Sequence, residues 1–485
     1  MPTPYTNHPV FKHFEAISRI PHGSGDEKAI SDYILHFAQN LGLEAVRDEV
    51  YNLVIRKPAT PGYEQAPIVM LQGHLDMVCE KNMDVVHDFT CDPLRLIVDG
   101  DILHADGTTL GADDGVAVAM CMALMADNTL RHPALELVLT ANEEVGLVGA
   151  TVLSPDLLRG DIMINLDSGE EGIFLTSCAG GLKQDIGLPI AEKSAPAASE
   201  NTAVALRVTG LMGGHSGIDI DKNRGNSIRI LTQLLQTAVD QYGAQLASLT
   251  GGSKDNAIPR EAEAIVIIPR DMHNALANNI SAYNAEIRKT YAESDADVSV
   301  SMAACETFPA TVLEDSSTNA LLCLLSSLPC GVLSYSAALP GLVETSNNVG
   351  VVSTEPGIAR IICALRSSVA AAKHTLAANI RILVEEYGAN VQAHGEYPAW
   401  EYNPNSKIRQ LAVDVYEETT GKPAQLLAVH AGLECGLFAE KRPGLDMIAL
   451  GPDMFDIHSP AERLSLSSLM RTWDLLLEIL SRITA

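Results

Sequence analysis

Five side chains of this sequence have the types that a pair of divalent metal ions requires. They are two histidines and three acidic residues: His74, Asp113, Glu144, Asp167 and His458. Neutral imidazole nitrogens and carboxylate oxygens are ligands that suit Zn²⁺ or Mn²⁺. Three carboxylates and one hydroxide balance the charge of two divalent ions, whereas a single ion would be over-supplied. The residue types therefore predict a two-metal site of the kind that activates water for hydrolysis.

Each of these residues also has an ordinary interpretation when it is taken alone. His74 could be a buried histidine, Asp113 a helix N-cap, and His458 the residue that precedes a helix. The adjacent carboxylates of Glu143 and Glu144 could lie in an acidic turn in solvent. The metal hypothesis gains weight only if the fold brings these side chains together.

The elements that would position them are strands in alternation with helices. Short apolar runs predict buried strands that end just before His74, Glu143 and Asp167, and an apolar helix follows Asp113. This alternation favours an α/β domain with a mainly parallel sheet and helices on both faces. Ligands of such sheets bind beyond the carboxyl ends of the strands, so the three side chains are expected at one edge.

The chain is long enough for two domains, and its pattern changes twice. At 485 residues, one compact core would be unusually large. From residue 190 the alternation gives way to an α+β pattern, and from residue 393 the first pattern returns. We therefore predict a catalytic domain formed by residues 1–189 and 393–485, with an α+β domain inserted at 190–392.

Two Ser-x-x-Glu segments predict the starts of helices. Ser24–Glu27 precedes apolar residues at helical spacing, and Ser459–Glu462 precedes the C-terminal segment, with Pro460 at the first helical position. On this interpretation His458 stands directly before the last helix.

The composition argues against several classes of partner. Lys and Arg number 33 against 61 Asp and Glu, a net charge of −28, which disfavours nucleic acid and anionic membranes. The nine cysteines contain no Cys-x-x-Cys pair and are expected to be reduced. No signal peptide is recognisable, and the longest uncharged apolar run, 115–126, is too short to span a bilayer. We therefore expect a cytoplasmic protein.

The motifs around the five residues resemble those of the co-catalytic-zinc metallopeptidases, which include carboxypeptidase G, the aminoacylases and carnosine-cleaving dipeptidases. In chain order the motifs are GHLDMV (73–78), GADDG (111–115), ANEEVG (141–146), NLD (165–167) and the late His458. The resemblance covers essentially the whole chain, including an inserted domain with GGHSG at 213–217. It implies a zinc-exopeptidase-like fold in which the inserted domain is a lid.

The resemblance also implies a ligand set for two Zn²⁺ ions per subunit, with Mn²⁺ or Co²⁺ as possible substitutes. Asp113 would bridge the two ions. His74 and Asp167 would complete the coordination of one ion, and Glu144 and His458 that of the other.

Two further acidic residues would be catalytic by the same resemblance. Asp76 would orient the imidazole of His74 from behind, as carboxylates commonly do for metal-bound histidines. Glu143 would be the general base, which accepts a proton from the attacking water and donates it to the leaving amine. Glutamate suits this role because its pKa rises among other carboxylates.

The inserted domain would supply substrate-binding residues. By resemblance, His215 would stabilise the tetrahedral oxyanion, while Asn256 and Arg366 would hold a peptide carbonyl and the C-terminal carboxylate. Arginine suits bidentate recognition of a carboxylate. A histidine in a glycine loop, an asparagine in a turn and an arginine at a strand end are all common, so the ordinary interpretations stay open here.

The function implied by the resemblance is hydrolysis of unblocked dipeptides by a homodimer. Xaa-His dipeptides such as β-alanyl-histidine (carnosine) would be preferred substrates. An N-acyl amino acid amidohydrolase is an alternative within the same class of enzyme. A non-catalytic metal-binding or scaffold protein is an alternative from another class, although intact Asp76 and Glu143 argue against it.

Overall fold

The computed structural model describes residues 5–484. Its α-helices, in chain order, are α1 Pro9–Ile17, α2 Lys28–Asn40, α3 Ala112–Ala126, α4 Val148–Val152, α5 Ser227–Tyr242, α6 His273–Thr290, α7 Asp315–Ser327, α8 Ala370–Glu386, α9 Lys407–Thr420, α10 Glu434–Lys441 and α11 Leu466–Arg482. Short 3₁₀ helices lie at Pro155–Leu157 and Arg270–Met272.

The strands are β1 Glu44–Arg47, β2 Leu53–Lys57, β3 Val69–His74, β4 Leu96–Asp99, β5 Ile102–Ala105, β6 Leu135–Thr140, β7 Ile162–Asn165, β8 Ile173–Cys178, β9 Gly180–Pro189, β10 Glu192–Ser194, β11 Asn201–Thr209, β12 Gly214–His215, β13 Gln245–Gly251, β14 Ala257–Ile258, β15 Ala262–Pro269, β16 Ser299–Ala304, β17 Thr311–Leu313, β18 Gly331–Tyr335, β19 Val343–Glu355, β20 Ile358–Ser367, β21 Asn390–Tyr397, β22 Gln425–Val429, β23 Asp446–Ala449, β24 Met454–Phe455 and β25 Arg463–Ser465.

The chain divides into two compact units. Unit 1 contains the chain up to Cys178, Tyr402–Ala428 and the chain from Leu433 onwards, while unit 2 contains Ala179–Glu401 and Val429–Gly432. The sequence placed the junctions at 189/190 and 392/393, about one strand away at each end. The difference arises because β9 and β21 pair with each other in the sheet of unit 2, across roughly 200 residues of sequence.

Unit 1 is built on an eight-stranded sheet with the order β1-β2-β6-β3-β7-β23-β8-β22. The four central strands, β6, β3, β7 and β23, are parallel to one another, whereas β2 and β8 run antiparallel to their neighbours. The predicted α/β sheet is confirmed, with its parallel part confined to the centre. The carboxyl ends of the four central strands therefore lie along one edge.

Helices cover both faces of this sheet. The residues of β3 alternate between the two faces and show what packs on each. Val69 and Leu71 face a hydrophobic core to which α1, α2, α3, α9 and α11 contribute. Gln72, on the opposite face, donates a hydrogen bond to Glu434 at the start of α10. Helix α3 is buried over nearly its whole length, as expected for a helix that is apolar on all sides.

Unit 2 is an α+β unit around one antiparallel sheet, with the order β16-β11-β15-β13-β19-β20-β9-β21 and with β18 paired to β19. Helices α5 to α8 bury their apolar residues in its core. Within residues 5–484, no helix is both long and apolar enough to cross a membrane.

The first predicted capping box does not cap a helix. Helix α2 begins at Lys28 without a side-chain cap. The carboxylate of Glu27 accepts the N–H of Asn142 at 3.1 Å, and the hydroxyl of Ser24 donates to the carboxylate of Asp76 at 2.8 Å. The prediction was wrong because Ser24 bonds to a distant segment, while the carboxylate of Glu27 is shared between the N–H of Gly25 at 2.8 Å and that of the distant Asn142.

The second predicted capping box is also wrong. The last helix begins at Leu466, and its N-cap is Ser465, whose hydroxyl accepts the N–H of Ser468 at 3.2 Å. The segment Ser459–Glu462 lies instead in the loop between β24 and β25. His458 belongs to that loop and is separated from the last helix by a strand.

Candidate metal centre

The edge of the sheet in unit 1 carries the predicted ligands. His74 is the last residue of β3, Glu144 follows β6, and Asp167 follows β7. Asp113 lies in the first turn of α3, where its backbone is not helical. His458 comes from the loop that follows β23 and β24, with its backbone in the left-handed region (φ 62°).

The carboxylate of Asp113 lies between the two histidines. Its Oδ1 is 3.0 Å from Nε2 of His74, and its Oδ2 is 3.3 Å from Nε2 of His458. Nε2 of His458 is also 2.8 Å from Oε1 of Glu144. That glutamate oxygen is buried, and apart from His458 it has no hydrogen-bond donor among the described residues. A group of two carboxylates and one imidazole calls for a cation, and a metal ion fits that requirement.

A second group of ligand atoms forms around His74. Single ligand atoms of His74, Asp114 and Asp167 lie within 4.8 Å of one another. Asp114 was not among the predicted ligands. It is wholly buried, its Oδ2 accepts the backbone N–H of His74 at 3.2 Å, and its Oδ1 has no hydrogen bond within residues 5–484. The structure thus brings Asp167 to His74, and it adds Asp114 to the same place.

Local sequence explains how these ligands come so close. Gly73 precedes His74, and a Cβ there would lie 2.4 Å from both the Cβ of Ala117 and Oδ2 of Asp114. Only glycine therefore allows α3 to start directly against β3. Asn142 has φ 53°, a left-handed conformation that asparagine tolerates, and it turns the chain before Glu143.

Asp76 holds this edge together through its backbone and its side chain. Nδ1 of His74 is 2.9 Å from the carbonyl oxygen of Asp76 and 3.6 Å from its carboxylate. Donation from Nδ1 to the carbonyl leaves Nε2 free to bind a metal. The carboxylate of Asp76 accepts the N–H groups of Glu143 at 2.9 Å and Glu144 at 3.3 Å. It therefore fixes the turn that carries both glutamates, a role that the sequence did not predict.

The site favours positive charge. Burial, together with nearby carboxylates, raises the pKa of Glu143 to about 9 and that of Asp167 to about 8. Hydrogen bonds to Asp113 and Glu144 raise the pKa of His458 to about 10. The raised pKa values mean that, without a cation, bound protons offset the negative charge of the clustered carboxylates. A metal ion would take the place of those protons.

Glu434 is a buried carboxylate at this edge that sequence reasoning missed. Its Oε2 accepts hydrogen bonds from the amide of Gln72 at 2.5 Å and the hydroxyl of Thr140 at 2.7 Å. Burial raises its pKa to about 7. Gln72 lies on the strand that ends at His74, so Glu434 packs directly behind the site. Only the contact with a strand more than 300 residues away reveals it, since no local motif marks this position.

Unit 2 brings two of its three predicted residues together. Nη2 of Arg366 is 3.3 Å from Nε2 of His215. Nδ1 of His215 accepts the N–H groups of Gly217 and Ile218 at 3.3 and 3.1 Å, so in the neutral ring Nε2 carries the hydrogen. Two donors therefore face each other, and an oxygen acceptor such as a carboxylate would satisfy both.

Arg366 has an unusual environment for a buried guanidinium. Its residue is 8% exposed, and no carboxylate of residues 5–484 forms an ion pair with it. Nη1 donates to the hydroxyl of Tyr397 at 2.6 Å, and Nε has no partner in the described chain. Asn256 is exposed in the turn before β14, where its carbonyl accepts the N–H of Ser216 at 2.8 Å. The side chain of Asn256 forms no hydrogen bond with His215 or Arg366.

The raised pKa values predict how stability depends on pH. Without divalent cations, the melting temperature should fall by several degrees between about pH 5 and pH 8, because the folded state binds protons more tightly than the unfolded chain. The contribution of Glu143 and Asp167 is complete below their unfolded pKa values of 4.5 and 3.8 and is lost as the pH rises through about 9 and 8. The raised pKa of His458 acts in the same direction.

Calorimetry in chelator and in saturating Mn²⁺ would test this. The slope with pH should be steep in chelator and shallow with Mn²⁺, and Asp167→Asn should flatten the slope in chelator. Equal slopes in both conditions would contradict the interpretation of the carboxylates as a cation site.

Comparison with known proteins gives consistent matches over the whole chain. Residues 70–482 match the model of the peptidase family M20/M25/M40. The chain is 37% identical over 477 residues to the cytosol non-specific dipeptidase of Escherichia coli (strain K12), which covers 98% of each chain. The crystal structure of the aminoacylhistidine dipeptidase from Vibrio alginolyticus matches with a TM-score of 0.93 and 35% identity, over 99% of this chain and 98% of that one. An aminopeptidase from Bacillus cereus shares the fold, with a TM-score of 0.56 and 15% identity over 98% of both chains.

Proposed function

Because this chain belongs to the peptidase family M20/M25/M40, we propose that it hydrolyses unblocked dipeptides at a centre of two Zn²⁺ ions. The observation that carries the proposal is the carboxylate of Asp113, whose two oxygens face the imidazoles of His74 and His458 separately. The relatives from Escherichia coli and Vibrio alginolyticus are both named as dipeptidases, which supports the substrate class.

Asp113 is assigned to both ions in this proposal. His74 and Asp167 belong to one ion, and Glu144 and His458 to the other. The 2.8 Å contact between His458 and Glu144 supports their assignment to one ion. Ligand atoms of His74 and Asp167 lie within 4.8 Å of each other, but so do those of His74 and Glu144, so the division itself follows the family resemblance. When bound, the ions would supply Lewis acidity, which lowers the pKa of water and polarises the scissile carbonyl.

Glu143 is proposed as the general base. Its backbone is fixed by Asp76, its side chain is outside the assigned ligand set, and its environment raises its pKa. Nearby cations would bring that pKa down towards neutrality, where a carboxylate exchanges protons most effectively. The carboxylate would take the proton of the attacking water and deliver it to the leaving amine.

The two facing donors in unit 2 are proposed to bind acceptor oxygens of the substrate. The buried guanidinium of Arg366 suits the C-terminal carboxylate of a dipeptide. Nε2–H of His215 suits the oxyanion of the tetrahedral intermediate. Asn256 stays a proposed contact for the peptide carbonyl, since its side chain is exposed in the turn beside the His215 loop.

Replacing Arg366 with glutamine should raise KM for glycyl-histidine by about 30-fold or more, because a buried charged contact to the carboxylate is lost. The same change should have little effect on glycyl-histidine amide, which lacks that carboxylate. Steady-state kinetics on both substrates would measure the difference. Arg360→Gln, an exposed position on the same strand, is the matched control and should change neither. An equal loss on the acid and the amide would contradict the assignment.

A substrate panel tests the proposed function directly. Hydrolysis of β-alanyl-histidine, glycyl-histidine, glycyl-leucine and N-acetyl-histidine should be measured before and after chelation, with Zn²⁺ added back. We propose metal-dependent cleavage of the three dipeptides, with the Xaa-His pair preferred, as the name of the Vibrio alginolyticus relative suggests. An equal rate on glycyl-leucine would favour a dipeptidase without a histidine preference, as the Escherichia coli relative is named non-specific. Cleavage of N-acetyl-histidine alone would indicate an amidohydrolase.

Two wider properties belong to the same proposal. A cytoplasmic location agrees with the word "cytosol" in the name of the Escherichia coli relative. A homodimer, which the sequence resemblance implies, stays a prediction that light scattering at micromolar concentration would test.

A further inference from the structure

One buried carboxylate in unit 1 is bound entirely to the backbone that carries Asp113. Oε2 of Glu462 accepts the N–H groups of Leu110 and Gly111 at 2.7 and 3.0 Å. Oε1 accepts those of Ala112 and Asp113 at 2.8 and 3.4 Å. The side chain belongs to a residue that is only 3% exposed. Four successive amides are thus fixed by one side chain from a remote part of the sequence.

The amides form an anion-binding concavity because of the local backbone. Gly111 has φ 69°, in the left-handed region, and the regular helical backbone of α3 begins only after the non-helical residues Asp113 and Asp114. The left-handed residue turns successive N–H groups towards one point, as in other backbone concavities that bind anions. A carboxylate is therefore the group that this backbone binds best, and it holds Asp113 in place from the main-chain side.

The same residue anchors the loop that carries His458. The N–H of Glu462 donates to the carbonyl of Ser459 at 3.0 Å, and the hydroxyl of Ser459 donates to the carbonyl of Asp456 at 2.7 Å. Asp456 in turn pairs with Arg463. The side chain of His458 is itself 45% exposed, so packing alone does not fix it.

From these contacts we propose that Glu462 is a positioning residue for one of the two metal ions. It joins the His458 loop to the Asp113 backbone, so that Oδ2 of Asp113 and Nε2 of His458 stay 3.3 Å apart and meet Oε1 of Glu144. Without the carboxylate, four amides lose their acceptor and the loop loses its attachment. His74 and Asp167 are held by β3 and β7 instead, so their ion keeps two ligands in place and should be affected less, through Asp113 alone. This inference rests on the proposed two-metal centre.

The test compares Glu462→Gln with a matched control. Glu136→Gln also removes the charge of a buried carboxylate in unit 1 that accepts two backbone amides, those of Arg159 and Gly160, at 2.8 and 3.1 Å, and that pairs in addition with Arg56 at 3.2 Å. Metal-free wild type and variants are dialysed against increasing Zn²⁺, and the metal bound per chain is measured. Thermal melting of the metal-free proteins reports general loss of stability.

We expect Glu462→Gln to bind the first Zn²⁺ as the wild type does and the second about 10- to 100-fold more weakly. Glu136→Gln should bind both ions normally even if it melts lower. In a His458→Ala background, Glu462→Gln should cause no further change in binding of the first ion. Loss of both ions in parallel with a lower melting temperature, or normal binding of both by Glu462→Gln, would overturn the role of Glu462.

The wild type separates this inference from the proposed function. If the wild type binds fewer than two ions, the two-metal centre itself is wrong. If the wild type binds two ions and Glu462→Gln behaves like it, only the positioning role is wrong.

Discussion

Replacing Glu143 with glutamine is expected to lower kcat for glycyl-histidine by about 10²- to 10⁴-fold while both metal ions stay bound. Glutamine keeps the size of the side chain but cannot accept the proton of the attacking water. The backbone N–H of residue 143 would still donate to Asp76, so the turn that carries Glu144 should keep its shape. The measurement is kcat and KM together with the metal content of the same preparation.

The control is Glu170→Gln, an exposed glutamate in the loop after Asp167. It removes the same charge close to the same strand end and should leave kcat unchanged. Glu143→Asp keeps the carboxylate but shortens its reach, so it should recover part of the lost rate. A Glu143→Gln variant with full activity and two bound ions would show that another group moves the proton.

The second large effect is expected from Asp113. Asp113→Ala should bind neither ion stably and should lose activity by at least about 10³-fold, because both ions lose a shared ligand. His458→Ala should lose one ion only, since its Nε2 faces Asp113 and Glu144 but not Asp167. Chelation of the wild type should reproduce the loss seen with Asp113→Ala, and added Zn²⁺ should restore activity to the wild type alone.

Metal content per chain, measured beside activity, distinguishes these cases. Asp127→Ala is the matched control: it lies at the opposite end of α3, where its carboxylate bonds to Thr129. That variant should keep two ions and full activity. One ion retained by Asp113→Ala, or none by His458→Ala, would show that the ligands are divided between the ions in another way.

The sequence was sufficient to predict the residues that gather at the strand ends. His74, Glu144 and Asp167 follow short apolar runs directly, and the parallel order of β3, β6 and β7 brings their carboxyl ends together. The prediction worked because position along a strand determines position along the edge of a sheet. The same reasoning predicted the α/β class of unit 1 and the α+β character of unit 2.

Contacts between distant segments could not be predicted in this way. Glu462 and Ser24 have the spacing of capping boxes, yet Glu462 binds the amides around the start of α3 and Ser24 binds Asp76. No sequence motif around Glu434 indicates that it lies behind the candidate metal site. Junctions between the units were displaced for the same reason, since the pairing of β9 with β21 is invisible in either strand alone. Hydrogen bonds between a side chain and a remote backbone segment depend on the tertiary structure. The local periodicity of the sequence carries no information about them.

The position of β23 in the sheet has a consequence for biosynthesis. This strand lies at the centre of unit 1, between β7 and β8, but it is made only after the whole of unit 2. Until residues 446–449 leave the ribosome, β7 has an open apolar edge and β8 lacks the neighbour that ties it to the sheet. A nascent or truncated chain would therefore be a natural client for chaperones. His458 follows β23 in the chain, so a product that stops before this strand would also lack one of the proposed metal ligands.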